Sequence, residues 1–136
     1  MVGIQALEGI QLVLVDDEPG VLRALSLLLM GLKCRVTALP SPRDVITYLE
    51  SNPAPDAIIS DLRMPEMTGI DLLFHLRNSG VTAPFILMSG HASAQEVATA
   101  ASAELTAFLS KPFTPQELIK VLLAICPAVQ RAANAS

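Results

Sequence analysis

The chain has 136 residues, a length that favours one domain with room for a proper core. Hydrophobic residues make up 51% and charged residues 16%, which excludes an intrinsically disordered chain, and no apolar run approaches the length of a membrane span. The net charge is -4, with Lys and Arg scattered singly, so direct nucleic-acid binding by this domain is not expected.

Met1 to Gly9 has no basic region and carries Glu8, so it does not read as a signal peptide. Gln11 to Val15 ends in Leu-Val-Leu-Val, a buried-strand pattern, and runs into Asp16-Asp17-Glu18. Pro19 suits the first turn of a helix. Val21, Leu22, Leu25, Leu28, Leu29 and Leu32 recur at helical spacing, and Gly31 lies where that helix should stop. Arg35 to Leu39 is a second strand. Ser41-Pro42-Arg43-Asp44 reads as a capping box for a helix ending near Ser51-Asn52-Pro53. Ala57 to Ser60 is a third strand, buried on both faces, and Asp61 follows it.

Thr68-Gly69-Ile70-Asp71 is a second capping box, opening a helix through about Arg77 that Asn78-Ser79-Gly80 ends. Phe85 to Met88 is the fourth strand, followed by Ser89-Gly90-His91. Ser93-Ala94-Gln95-Glu96 opens an alanine-rich helix. Phe108-Leu109-Ser110 is a short fifth strand, followed by Lys111-Pro112. Thr114-Pro115-Gln116-Glu117 opens the last helix, whose stripe is Leu118, Val121, Leu122 and Ile125. Pro127 is expected to end it. The reading places an N-terminal extension at 1–10, the domain at 11–127 and a disordered tail at 128–136. Cys34 and Cys126 form no CxxC and no metal spacing, so both read as packing residues in a reducing cytoplasm.

A strand followed by a helix, five times over, predicts an α/β fold: a doubly wound sheet of five parallel strands with helices on both faces. Right-handed crossovers put every strand's carboxyl end on one edge, where ligands bind. Four of those ends carry distinctive polar groups: Asp16 and Asp17, then Asp61, Ser89 and Lys111. Each alone reads as well as a turn or surface residue. Together they place three carboxylates, a hydroxyl and an ammonium around one crevice. Two like charges ~4 Å apart repel by about 4 kcal/mol at an effective dielectric of 20. A hard divalent cation such as Mg²⁺ relieves that repulsion, and the same set suits phosphoryl transfer.

The chain resembles the receiver domain of two-component response regulators over nearly its whole length, from about Leu12 to Ile125. The carriers are Asp16-Asp17, Asp61-Leu62-Arg63-Met64-Pro65-Glu66-Met67-Thr68-Gly69, Ser89-Gly90 and Lys111-Pro112-Phe113 in this order. The resemblance implies a flavodoxin-like (βα)5 fold. It implies that Asp61 accepts a phosphoryl group from a sensor histidine kinase or phosphotransfer protein. It implies Mg²⁺, or Mn²⁺ in its place, held by Asp17, Asp61 and the backbone carbonyl of Arg63, with Asp16 acting through a metal-bound water. Lys111 would pair with the phosphate, Ser89 would bond a phosphoryl oxygen, and Phe108 would be the aromatic switch. The Lys111-Pro112 bond would be cis. The output would leave through the fourth helix, fifth strand and fifth helix, with a homodimer through that face as one form. The domain would be no enzyme beyond catalysing its own phosphorylation and dephosphorylation.

The sequence departs from the family at two places. Phe108 stands where many receivers carry Tyr, and Glu104-Leu105 where many carry Gly-Ala. Two rival readings remain open on the residues: a degenerate receiver that acts unphosphorylated, and a haloacid-dehalogenase-type phosphohydrolase. The latter family reads Asp-x-Asp at its first motif, whereas Asp16 and Asp17 are adjacent. A chain of this extent is either a single-domain regulator or a piece of a larger regulator or hybrid kinase.

Overall fold

A computed structural model of the chain describes residues 3–129 and 131. Its regular elements are β1 (Gln11–Val15), α1 (Pro19–Gly31), β2 (Arg35–Leu39), α2 (Pro42–Ser51), β3 (Ala57–Asp61), α3 (Gly69–Asn78), β4 (Phe85–Ser89), α4 (Ala94–Ser102), β5 (Ala107–Ser110) and α5 (Pro115–Ile125). The strands form one sheet in the order β2-β1-β3-β4-β5, every pair parallel, which is the predicted doubly wound fold. The chain leaves β1 toward one edge and continues from β3 toward the other. The carboxyl ends of β1 and β3 therefore flank the point where the strand order reverses.

Alternation along the strands sorts two cores. Leu12, Leu14, Ile59, Ile86, Met88 and Leu109 pack with α1 and α5 residues such as Leu25, Leu29, Leu118 and Leu122. Val13, Val15, Ile58, Phe85 and Leu87 pack on the opposite face with Val45, Leu72, Leu73, Leu76 and Ala100. Successive strand residues point to opposite faces. Asp61 therefore continues the row of Ile59, while Ser89 continues the row of Leu87. Both residues lie one position earlier in the fold than the sequence suggests: each is the last residue of its strand, paired with Met88 and Ser110 respectively.

The helix ends and the chain termini add further detail with physical causes. The Ser41 box is half made: its hydroxyl accepts from the Asp44 amide, without the return bond. Ser41 has φ −144, against −76, −75 and −85 at Thr68, Ser93 and Thr114, where both halves form. The rotation turns the Ser41 amide away from Asp44. Gly31 is the last residue of α1, as expected, but it does not carry the reversal that follows. Cys34 N donates to Leu29 O and Lys33 N to Met30 O, so Lys33 takes the left-handed position at φ 65. The last helix ends at Ile125 with Cys126 as its cap, just before Pro127 as expected, and a separate helical turn follows over residues 127–129. Proline fits that new first turn because its missing N–H has no partner there. Finally, residues outside 11–127 join the first core: Leu7, in a 3-10 turn at Ile4–Leu7, and Val129 are fully buried. Of the rest of the predicted tail, residues 130 and 132–136 lie outside the described residues.

The end of α4 is a second reversal without glycine. Leu105 N donates to Ala100 O and Glu104 N to Ala101 O, with Glu104 at φ 60. Arg77 holds this turn in place. Its guanidinium donates to the carbonyls of Val81, Ala83, Ala103 and Glu104, tying the end of α3 to the end of α4. A Cβ in the left-handed region costs roughly 1–2 kcal/mol, and glycine returns part of that as extra freedom in the unfolded chain. Glu104→Gly is therefore expected to stabilise the fold by about 0.5–1 kcal/mol, read as a higher melting temperature in calorimetry.

Candidate functional site

The site is assembled by sheet topology. Val15 pairs with Ser60, so Asp16 and Asp61, the next residues, stand beside each other at the reversal point. Oxygen atoms of Asp16, Asp17 and Asp61 all lie within 4.8 Å of one another. Asp16 is 1% exposed and Asp61 8%, whereas Asp17 faces solvent. Lys111 reaches in from the end of β5. Its Nζ lies 3.0 Å from Asp61 Oδ1 and 3.8 Å from Asp16 Oδ2. The Lys111-Pro112 peptide bond is cis.

One ammonium does not satisfy three carboxylates. Asp16 Oδ1 accepts from the Glu18 amide at 2.9 Å, but Asp16 Oδ2 is buried with no hydrogen-bond partner. Burial pushes the Asp16 carboxyl above its ordinary value of 3.8, and the negative charges of Asp61 and Asp17 add to that, against the Glu18 amide and Lys111. An unpartnered buried carboxylate oxygen, inside a cluster of hard oxygen donors that stays partly open to water through Asp17, fits a divalent cation such as Mg²⁺. Asp16, Asp17 and Asp61 are the residues that would hold it.

The backbone around Asp61 is held closely. Ser60 Oγ donates to the Asp61 carbonyl at 2.8 Å, and Gly69 N donates to Leu62 O at 2.9 Å. A Cβ at Gly69 would collide with the Asp61 carbonyl oxygen and the Leu87 side chain, so this close approach requires glycine. Met64 and Met67 pack the loop against the second core.

Ser89 is 4% exposed, and its hydroxyl accepts from His91 N at 3.1 Å. Its carbonyl accepts from Lys111 N at 2.9 Å, which joins the Ser89 and Lys111 strand ends directly. Phe108 is half-buried, opposite Leu87 in the sheet and packed against the second core. The predicted residues thus divide into two groups. Asp16, Asp17, Asp61 and Lys111 meet in one pocket, while Ser89 and Phe108 follow the row of the opposite face.

Arg63 adds a contact that sequence reading missed. Its guanidinium grips Glu96 at 2.7 and 2.8 Å and donates to His91 O at 3.1 Å. Glu96 also closes the α4 cap by accepting from Ser93 N at 3.0 Å. The Arg63 guanidinium and the Ser93 amide lower the Glu96 carboxyl to about 2. Glu96 was legible only as the acid of its capping box, because nothing in local spacing points thirty-three residues back to Arg63.

A family model described as the response regulator receiver domain matches residues 12–123, and the chain belongs to that family. An uncharacterized 14.6 kDa protein in the sodA1 3′ region of Leptolyngbya boryana is 30% identical over 127 residues, 92% of this chain and 96% of that protein. The response regulator protein TodT of Pseudomonas putida is 32% identical over 123 residues, 90% of this chain and 54% of TodT. The chain thus spans about half the length of TodT. The receiver domain of sensor histidine kinase PA1611 from Pseudomonas aeruginosa PAO1, with a magnesium ion coordinated in its active site cleft, superposes with TM-score 0.76 at 26% identity, covering 86% of this chain and 97% of that one. The chemotaxis protein CheY4 of Vibrio cholerae shares the fold at TM-score 0.80 and 24% identity, over 86% of this chain and 98% of that one. Family membership removes the phosphohydrolase alternative.

The raised Asp16 pKa means that the folded chain holds this proton more tightly than the unfolded chain does. The resulting stabilisation is fully present below the ordinary carboxyl value and is lost as pH rises through the folded value. In metal-free protein at neutral pH, Asp16→Asn should therefore stabilise the fold by about 1–2 kcal/mol. The gain should shrink as pH falls through the folded Asp16 value and be gone below about pH 4, where the carboxyl is protonated in both the folded and unfolded parent. Thermal melts across pH, in chelator, check this.

Proposed function

We propose that this receiver domain accepts a phosphoryl group on Asp61 from a histidine kinase or phosphotransfer protein, in a reaction that needs Mg²⁺ or Mn²⁺. The observation that carries this reading is Lys111 Nζ at 3.0 Å from Asp61 Oδ1, inside a cluster of three carboxylates. A carboxylate oxygen of Asp61 attacks phosphorus, the bond from phosphorus to the donor's nitrogen breaks, and an acyl phosphate forms on Asp61. Water later attacks the same phosphorus and restores the carboxylate. Asp61 is held in place for this by the bond from Ser60 Oγ to its carbonyl and by the packing of Gly69 beneath it. Lys111 is already anchored by its own amide on Ser89, so its ammonium can follow negative charge from the carboxylate to the phosphoryl oxygens. When bound, the cation neutralises charge on those oxygens. Asp17 and the Arg63 carbonyl are the further ligands in this reading, with Asp16 acting through a bound water. The magnesium ion in the cleft of the PA1611 receiver supports the assignment.

The domain's role is signalling through partners. Beside the pocket, Val21, Ala24, Leu25, Pro112 and Phe113 line an open, mostly apolar depression with Lys111 at its rim. Such a surface suits the protein that delivers the phosphoryl group. On the other side, Ser89 would turn its hydroxyl from His91 N toward a phosphoryl oxygen, and Phe108 would move further inward. The α4–β5–α5 face, where Ala94, Val97, Ala98 and Ala101 are exposed, would then engage an output partner or a second copy. Small side chains there permit close approach.

Incubation with Mg²⁺ and acetyl phosphate is expected to add one phosphoryl mass to the parent and none to Asp61→Asn, read by intact-mass spectrometry. Equal uptake by both would locate the chemistry elsewhere. In melts, saturating Mg²⁺ should stabilise the parent by about 2.7 kcal/mol at a hundredfold excess over its dissociation constant, and most of that gain should vanish in Asp17→Ala.

A further inference from the structure

Arg63 stands two residues after Asp61, and its guanidinium does not point into solvent alone. It spans from the loop after β3 to two places on the next loop and helix: the carbonyl of His91, two residues after Ser89, and the carboxylate of Glu96 in the first turn of α4. The two segments that a phosphoryl group on Asp61 would have to draw together are therefore already bridged by one cation. The Glu96 contact is two-pronged, with both carboxylate oxygens engaged. Such fork-to-fork pairs fix geometry as well as charge.

We propose that Arg63 is a second cationic ligand for the phosphoryl group, and that its clasp on Glu96 is the resting contact which that group must break. The proposal rests on Asp61 being the phosphoacceptor. A phosphoryl group brings more negative charge and three acceptor oxygens to a point two residues from Arg63. It competes for the guanidinium with Glu96, a carboxylate that keeps a second occupation when released, because it also caps the Ser93 amide. Freed of Arg63, the β4–α4 loop and the start of α4 lose their tie to the phosphoacceptor loop. Ser89, the last residue of β4, adjoins that stretch, so the same event removes a restraint on its movement. A ligand shifts an equilibrium only by its differential affinity for the two states. Breaking the clasp therefore reduces the apparent affinity for the phosphoryl group in the parent.

Beryllofluoride with Mg²⁺ mimics the phosphoryl group and can be titrated on the full chain. Glu96→Gln keeps a residue able to close the cap at this position but removes the charge that holds Arg63. It is expected to bind beryllofluoride roughly three- to tenfold more tightly than the parent, within the range of ordinary allosteric coupling. Arg63→Gln is expected to bind it more weakly by a similar factor. In the double variant, Glu96→Gln should bring no gain over Arg63→Gln, because its effect runs through the guanidinium. In nitrogen-15 NMR of the parent, the Arg63 Nε–H resonance should shift on titration. Unchanged or weaker binding by Glu96→Gln overturns the proposal, as does the same gain in the Arg63→Gln background or an Arg63 resonance that ignores beryllofluoride. A parent that takes up beryllofluoride no better than Asp61→Asn is a different result: it overturns the phosphoacceptor reading, and this proposal with it.

Discussion

Asp16 and Asp61 stand side by side because β1 and β3 are parallel neighbours, and parallel neighbours end on the same edge. Asp17 follows in the chain, so a third carboxylate joins them, and the fold supplies one ammonium, Lys111, against three negative charges. The imbalance is local and is not relieved by burial, since Asp16 Oδ2 is out of water without a hydrogen bond. Such a pocket destabilises the chain that carries it. It persists because the strands beneath it are buried on both faces, and two apolar cores clamp them. What is poor for folding suits ion binding: a group of hard oxygen donors with an open side fits a divalent cation.

Much of this was legible in the amino-acid order. Alternating strand and helix patterns gave the element order, and polar residues after apolar runs marked the functional edge. Strand alternation even predicts which groups share a side, with Asp61 in the row of Ile59 and Ser89 in the row of Leu87. Backbone conformation was less legible. Lys33 and Glu104 occupy left-handed positions that glycine would favour, and nothing local marks a non-glycine residue there. At Glu104 the conformation is supported by Arg77, a tertiary contact from another helix. The half-made cap at Ser41 shows the same limit, because Ser-x-x-Asp spacing is necessary for a reciprocal box but the cap residue's φ decides whether it closes.

Long-range polar contacts were the other loss. Glu96 reads as a helix-capping acid and is one. That reading is complete in itself, so it leaves no unexplained residue to prompt a search for a partner. Arg63 was read for its backbone carbonyl alone. The side-chain pair appears only once the fold has laid the loop after β3 against the start of α4.

The same division of side-chain rows constrains how a signal can leave the pocket. Asp61 and Lys111 lie in rows that face α1 and α5, whereas Ser89 and Phe108 lie in rows that face the second core. A change at Asp61 cannot pass to Phe108 along one packed face. It must cross at the sheet's upper edge, where backbone and side chains of different strands meet. Two contacts made there join the Ser89 stretch to the rest of the pocket: the hydrogen bond from Lys111 N to Ser89 O, and the guanidinium of Arg63 on His91 O and Glu96. The first is backbone to backbone and can persist in either state, so it transmits position but cannot act as a switch. The second is ionic, reaches solvent and can exchange one anion for another. A two-state element needs a contact that differs between its states, and of these two contacts only the ionic one, as proposed above, would differ.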